Sequence, residues 1–194
     1  TQAKDNLVFT VVVHGATVLS TIIVFRKDIL YLLRGLLKFE FNTETKYVIL
    51  LLFSAVPVLI TGLFFKGEVE SAYGGNLLLV GISLLITAGL LSFTHWATDR
   101  LKSVKYGSAF IIGLAQALAV IPGISRSGAT ISTALLLGVS KEKAARFSFL
   151  MVLVPIIGAN ILSAFQGDFT GEQSPGIMPL VIGFTAAFAA GLLA

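Results

Sequence analysis

Apolar residues run in long blocks separated by short polar stretches. Three are "LVFTVVVHGATVLSTIIVF", "YVILLLFSAVPVLITGLFF" and "LLLVGISLLITAGLLSFTHWA". Each is close to the ~20 residues that a helix needs to cross ~30 Å of hydrocarbon. The polar stretches alternate in charge. Between Arg26 and Lys46 lie five basic residues, Arg26, Lys27, Arg34, Lys38 and Lys46, so the positive-inside rule places this loop in the cytoplasm. "KGEVESAYGGN" carries one lysine against two glutamates and reads as outside. "DRLKSVK" and "KEKAAR" are basic and read as inside, whereas "QGDFTGEQSPG" has no Lys or Arg and reads as outside. The pattern predicts spans over 7–25 (inward), 47–65 (outward), 77–97 (inward) and 146–165 (outward), with another returning from 177.

One stretch does not fit a span. Residues 108–138 are flanked by basic residues on both sides, so they begin and end on one face of the membrane. Two crossings need ~40 residues; this segment has 31, broken at Pro122 and Gly123. The expected structure is a re-entrant helical hairpin with "PGISRSG" at its tip. The fold class expected is therefore an all-α polytopic membrane protein. It forms one integral domain over 1–194: a three-span part at 7–107, the hairpin at 108–138, and a further part at 139–194.

Composition agrees. The chain of 194 residues is 56% hydrophobic and 12% charged, where soluble domains average about 25% charged. The net charge of +4 would suggest nucleic acid in a soluble protein; here basic loops that orient helices account for it. Cysteine is absent, which excludes disulfides and thiolate metal sites. "TQAKDN" is too short and polar for a cleavable signal peptide, and the first apolar block is a full span. "GFTAAFAAGLLA" ends without a basic flank, so a continuation of the chain is expected there.

The tip carries the candidate chemistry. Irregular backbone at membrane depth persists only where it is buried in protein or lines a wet cavity. An arginine there costs at least ~2.5 kcal/mol on insertion scales and marks a functional site with an anionic partner. After Gly128, "ATISTALLLGV" reads as a helix with Ser125 or Ser127 as its N-cap. Gly123 and Gly128 allow a tight fold and a close approach of backbone to ligand. A helix N-terminus together with the Arg126 guanidinium favours phosphate oxygens, and the hydroxyls of Ser125, Ser127 and Thr130 add donors. The competing reading is a packed hairpin with Arg126 paired to a carboxylate, but no Asp or Glu falls inside a predicted membrane segment. Gln116, ten residues before Arg126, either contacts a ligand or bonds to backbone.

Thr10, His14, Thr17 and Thr21 share one face of the first span. His14 is a candidate for proton transfer to a phosphate or, equally, a helix–helix hydrogen-bonding group. His95 beside Trp96 reads as interfacial, and Glu68 and Glu70 as a solvated face. "FTVVVHGATVLSTIIVFRKDI" and "FSFLMVLVPIIGANILSAFQGDF" begin alike and run in opposite directions, the pattern of an inverted-topology repeat with its site at the repeat interface. The second copy follows a hairpin, so an opposing hairpin is expected before Thr1.

"GLAQALAVIPGISRSGATIS" resembles the arginine motif of the undecaprenyl-diphosphate phosphatases, also called bacitracin-resistance proteins. The likeness continues through "LLLGVSKEKAARFSFLMVLVPIIGA" and, more loosely, through "FTVVVHGATVLSTIIVF". The resemblance implies hydrolysis of undecaprenyl diphosphate to the monophosphate, recycling the carrier lipid for cell-wall synthesis. It implies a multi-pass protein of the bacterial cytoplasmic (inner) membrane, with a site between two facing hairpins that opens to the outer face. By the motif, Arg126 binds the diphosphate, aided by Ser125, Ser127 and the Gly128 backbone, with Thr130 adjacent. Gln116 stands where the family's other motif has the first glutamate of a pair. That motif, with its Ser-Ser-Thr-Gly-His turn, is not in this sequence, so the stretch given is expected to hold half a site. A divalent cation, Mg²⁺ or Ca²⁺, is implied by the family with no ligand nameable here. The partners expected are a polyprenyl diphosphate lipid and the membrane, with no nucleic acid and a homodimer left open. A rival reading, a transporter or flippase for an anionic lipid or small anion, shares this architecture.

Overall fold

A computed structural model describes residues 2–72, 77–96, 101–166 and 176–193. The residues it describes are all-α: helices α1 (Gln2–Val24), α2 (Arg26–Leu36), α3 (Thr43–Phe64), α4 (Lys66–Ala72), α5 (Leu77–Thr94), α6 (Tyr106–Leu118), α7 (Arg126–Leu136), α8 (Lys141–Gln166) and α9 (Ile177–Leu193). Each apolar block of the sequence is a helix. By length and composition α3 and α5 are long and apolar enough to cross a membrane, and Val12–Val24, α6 and α9 are shorter apolar stretches. Residues 73–76, 97–100 and 167–175, which hold parts of the expected loops and the end of the span expected at 77–97, lie outside the described residues.

Two stretches read as loops from their charges are helical instead. The basic segment after the first span forms α2, and "KGEVESA" forms α4. Charge density marks a segment as unable to enter hydrocarbon, but it does not oppose helix formation by Lys, Arg, Leu and Glu, which are good helix formers. Likewise α8 starts at Lys141, so the basic "KEKAAR" is its first turns rather than a loop.

The chain packs as two compact units. One comprises residues 1–44 and 156–194, in which α1 lies along α9. Small residues allow that approach: Gly183 faces Phe9 and Val13, and Gly191 faces Ser20. The other comprises residues 45–155. Its core gathers Leu50, Leu51 and Ala55 of α3, Ala109 and Ile112 of α6, and Phe147, Leu150 and Met151 of α8, all buried. Gly113 of α6 sits against the Ser54 main chain of α3, leaving no room for a Cβ. Phe147 meets Tyr47 edge-on at 5.9 Å, and the Arg146 guanidinium lies over the same ring at 5.9 Å. Within this unit α7 packs against both α6 and α5, and those two contacts fix the hairpin.

Candidate functional site at the hairpin tip

Helices α6 and α7 have 13 and 11 residues. At 1.5 Å per residue each covers only ~15–20 Å, short of a ~30 Å crossing. Between them, residues 119–125 turn the chain around. Gly123 holds φ +95°, and a Cβ there would lie 2.7 Å from the Val80 carbonyl oxygen and 2.9 Å from Ser83 Cβ. Both the dihedral and the proximity of α5 require glycine.

Ser125 is the N-cap of α7: with φ −70° and ψ 116°, its Oγ accepts from the Gly128 N–H at 3.1 Å. The sequence left Ser125 and Ser127 as alternatives for this place, and the structure selects Ser125. The cap engages the Gly128 N–H, which the family resemblance had offered to the ligand. Gly128 therefore acts through space instead: a Cβ would stand 3.0 Å from both Ser125 Cβ and Oγ.

Thr87 of α5 ties the tip down. Its hydroxyl accepts the Ser125 N–H at 3.1 Å, lies 3.0 Å from the Ser83 carbonyl to which it donates, and approaches the Gly123 carbonyl at 3.4 Å. Sequence reasoning missed this residue, since a lone threonine in an apolar block carries no signal and its partners stand 36 and 38 positions away. On the other flank, Thr130 is buried. Its hydroxyl is within 2.9 Å of the Arg126 carbonyl and 2.5 Å of Ser148 Oγ on α8, so it braces α7 from beneath.

What remains at the surface of the tip is Ser125, Arg126 and Ser127, consecutive and exposed. Three polar side chains, one cationic, thus stand at the positive end of α7: Ser125 at its N-cap, Arg126 and Ser127 in its first turn. That arrangement favours an oxyanion. Gln116 on α6 is 1% exposed, and neither its Oε1 nor its Nε2 has a hydrogen-bond partner among the described residues. The backbone bond weighed for it from the sequence is not formed.

His14 belongs to the other compact unit, where its side chain is exposed. The hydroxyl face around it is satisfied within α1: Thr17 donates to the His14 carbonyl and Thr21 to the Thr17 carbonyl, each at 2.8 Å. The Thr10 side chain lies outside the described residues. His95 meets Trp96 edge-on at 5.6 Å at the end of α5. Among the described residues no three His, Asp or Glu side chains come together.

The fold defines a polytopic helical membrane protein whose short hairpin carries Arg126 at its tip. The family model described as "Bacitracin resistance protein BacA" matches residues 1–194, and the chain belongs to that family. It is 52% identical to an undecaprenyl-diphosphatase of Bacteroides fragilis, over 100% of this chain and 74% of that protein. An undecaprenyl-diphosphatase of Christiangramia forsetii is 51% identical over 98% of this chain and 72% of its own length. One from Korarchaeum cryptofilum is 35% identical over 99% and 75%.

Proposed function

We propose that this protein hydrolyses undecaprenyl diphosphate to undecaprenyl phosphate and inorganic phosphate, and that the diphosphate binds at the hairpin tip. Family membership and the relatives' printed activity support the reaction. The observation that carries the site is the exposed Ser125–Arg126–Ser127 triplet on the capped N-terminus of α7.

In the reaction the phosphoanhydride bond breaks, the terminal phosphoryl group passes to water, and the polyprenyl monophosphate leaves with the bridging oxygen. Negative charge grows on that oxygen and is redistributed over the phosphoryl oxygens. The Arg126 guanidinium offers a planar fork of donors to those oxygens, and the positive end of α7 adds a fixed dipole that costs no reorganisation when the charge develops. Ser125 and Ser127 hydroxyls donate to the remaining oxygens. Ser125 keeps its proton for this purpose, because its cap bond uses only the oxygen as acceptor. Gln116 is assigned to substrate binding as well: a buried carboxamide without partners carries a desolvation cost of ~1–3 kcal/mol that a polar ligand removes. Apolar faces of the surrounding helices hold the isoprenoid tail in the bilayer.

The membrane is the bacterial cytoplasmic membrane and the tip opens to its outer face, as the family resemblance implies; the basic flanks of the hairpin place only its two ends on the cytoplasmic side. The test is Arg126→Lys in the full-length protein, assayed by phosphate release in detergent. Lysine keeps the charge but loses the fork, so kcat/KM should fall well below wild type yet stay above Arg126→Ala. Equal rates for all three proteins would remove Arg126 from the site.

A further inference from the structure

The stretch after the first span combines two features that the hydrolysis does not use: an ordered helix, α2, and two phenylalanines in full exposure just beyond it. On α2, Leu30 and Leu33 share one exposed face, which the C-cap Leu37 continues at i+7; Arg26 begins that face and turns its guanidinium back to the Ile23 carbonyl at 2.9 Å. Lys27 and Arg34, at i and i+7, form a second exposed row beside it, and Lys38 follows in the exposed turn past the C-cap. The third face is spoken for. Leu32 and Gly35 are buried, and Gly35 meets the Glu44 side chain so closely that a Cβ there would overlap it. Asn42 Nδ2 donates to the Gly35 carbonyl at 2.9 Å, and the Tyr31 hydroxyl donates to the Glu44 carboxylate. These contacts fix the rotation of α2 about its axis, so the leucine row and the basic row are held outward together.

The helix also has a fixed level. It starts at Arg26, one residue after α1 ends at Val24, and its buried face is tied to the first turn of α3, which is long and apolar enough to cross a membrane. The apolar stretch Val12–Val24 thus ends just before α2, and the start of α3 is where α2 is tied. Past its C-terminus the chain turns through Phe39 at φ +50°. That turn leaves Phe39 94% exposed and Phe41 76% exposed.

We propose that α2 and the Phe39–Phe41 turn form an interfacial anchor, lying in the plane of the cytoplasmic leaflet and holding anionic phospholipid headgroups. The leucine row and the two phenylalanines enter the acyl boundary, ~5–10 Å deep as for other amphipathic helices of this kind. Lys27 and Arg34 stand one helix face away, at phosphate level with Lys38, where each basic residue is attracted to an anionic surface. A leucine row flanked by a basic row at the ends of membrane helices matches a lipid interface. It does not match a protein partner, which would need the phenylalanines covered as well as the leucines.

The test uses full-length protein in bilayers, with a single cysteine spin label at Leu33 in one sample and at Arg34 in another; this stretch contributes no cysteine of its own. The label at 33 should collide mainly with membrane-dissolved oxygen, and the label at 34 mainly with a water-soluble nickel chelate. A second arm compares spin-labelled phosphatidylglycerol with phosphatidylcholine: the protein should prefer the former, and Lys27→Gln/Arg34→Gln/Lys38→Gln should bring the two to parity. A label at 33 reached mainly by nickel places the helix in water and overturns the proposal. One shielded from both reagents means that protein covers the face, which overturns it equally. An undiminished phosphatidylglycerol preference in the folded triple variant removes the headgroup role.

Discussion

Thr87→Val isolates the bond that holds the hairpin tip to α5. Valine has nearly the shape of threonine, so packing is preserved and only the hydroxyl is lost. With it go the acceptor for the Ser125 N–H at 3.1 Å and the donor to the Ser83 carbonyl at 3.0 Å. The Ser125 amide is only partly buried, so its loss is worth the ~0.5–1.5 kcal/mol of an ordinary hydrogen bond. The Ser83 carbonyl loses less, since it retains its place in the helix ladder. If that cost falls on the tip rather than on global unfolding, the population with Ser125 and Arg126 correctly placed drops by about 2- to 12-fold, at 1.4 kcal/mol per tenfold. Phosphate release from a polyprenyl diphosphate in detergent should fall by a similar factor in kcat/KM. Thr87→Ser, which restores the hydroxyl, should recover most of it, and thermal unfolding should shift by only a few degrees. A Thr87→Val protein with wild-type kcat/KM and wild-type melting would refute the reasoning, because the tip would then be held by something else.

The remaining predictions follow from the same geometry. Gly123→Ala forces a Cβ into φ +95° and to 2.7 Å from the Val80 carbonyl oxygen; a strained backbone of this kind costs ~1–3 kcal/mol. Its melting temperature should drop and its turnover should fall with it, and an unchanged melt would contradict the tip geometry. Ser125→Ala removes the cap to Gly128, worth about 1 kcal/mol, and should lower activity more than stability because the same hydroxyl faces the substrate. At the α2–α3 corner, the Tyr31 hydroxyl holds the Glu44 carboxyl below its ordinary 4.5, helped by a backbone bond and the Lys38 charge. A depressed carboxylate contributes stability that is present above 4.5 and is lost as pH falls through the lower folded value. Tyr31→Phe should therefore move the Glu44 titration upward, read by carbon NMR; an unmoved midpoint would show that the hydroxyl does not bond it.

The hairpin was legible because a 31-residue apolar stretch with basic flanks cannot cross twice and is interrupted at Pro122–Gly123. The helix start at Arg126 was legible too, because serine at 125 or 127 suits an N-cap. The supports were not. Thr87 and Ser148 lie far from the tip in sequence, and a hydroxyl within an apolar helix reads the same whether it clamps a loop or bonds its own backbone, as Thr17 and Thr21 do. The helix α2 escaped because its charges were weighed for topology before its periodicity. Leu30, Leu33 and Leu37 against Lys27, Arg34 and Lys38 was a readable amphipathic pattern all along. The cap was half legible: Ser125 and Ser127 are equivalent by residue type, and only the backbone turn at Gly123 decides which precedes the helix.

The central claim is that the tip of this hairpin binds the diphosphate of a polyprenyl substrate during its hydrolysis. The most direct test is inorganic phosphate release from undecaprenyl diphosphate by the full-length protein, beside Arg126→Ala checked for folding by its melting curve. Removing one donor to a developing phosphoryl charge costs about 100- to 1,000-fold in kcat, so the wild type should release phosphate and a folded Arg126→Ala should lose at least that much. Release by the folded variant at the wild-type rate would contradict the site, and no release by well-folded wild type would contradict the reaction itself.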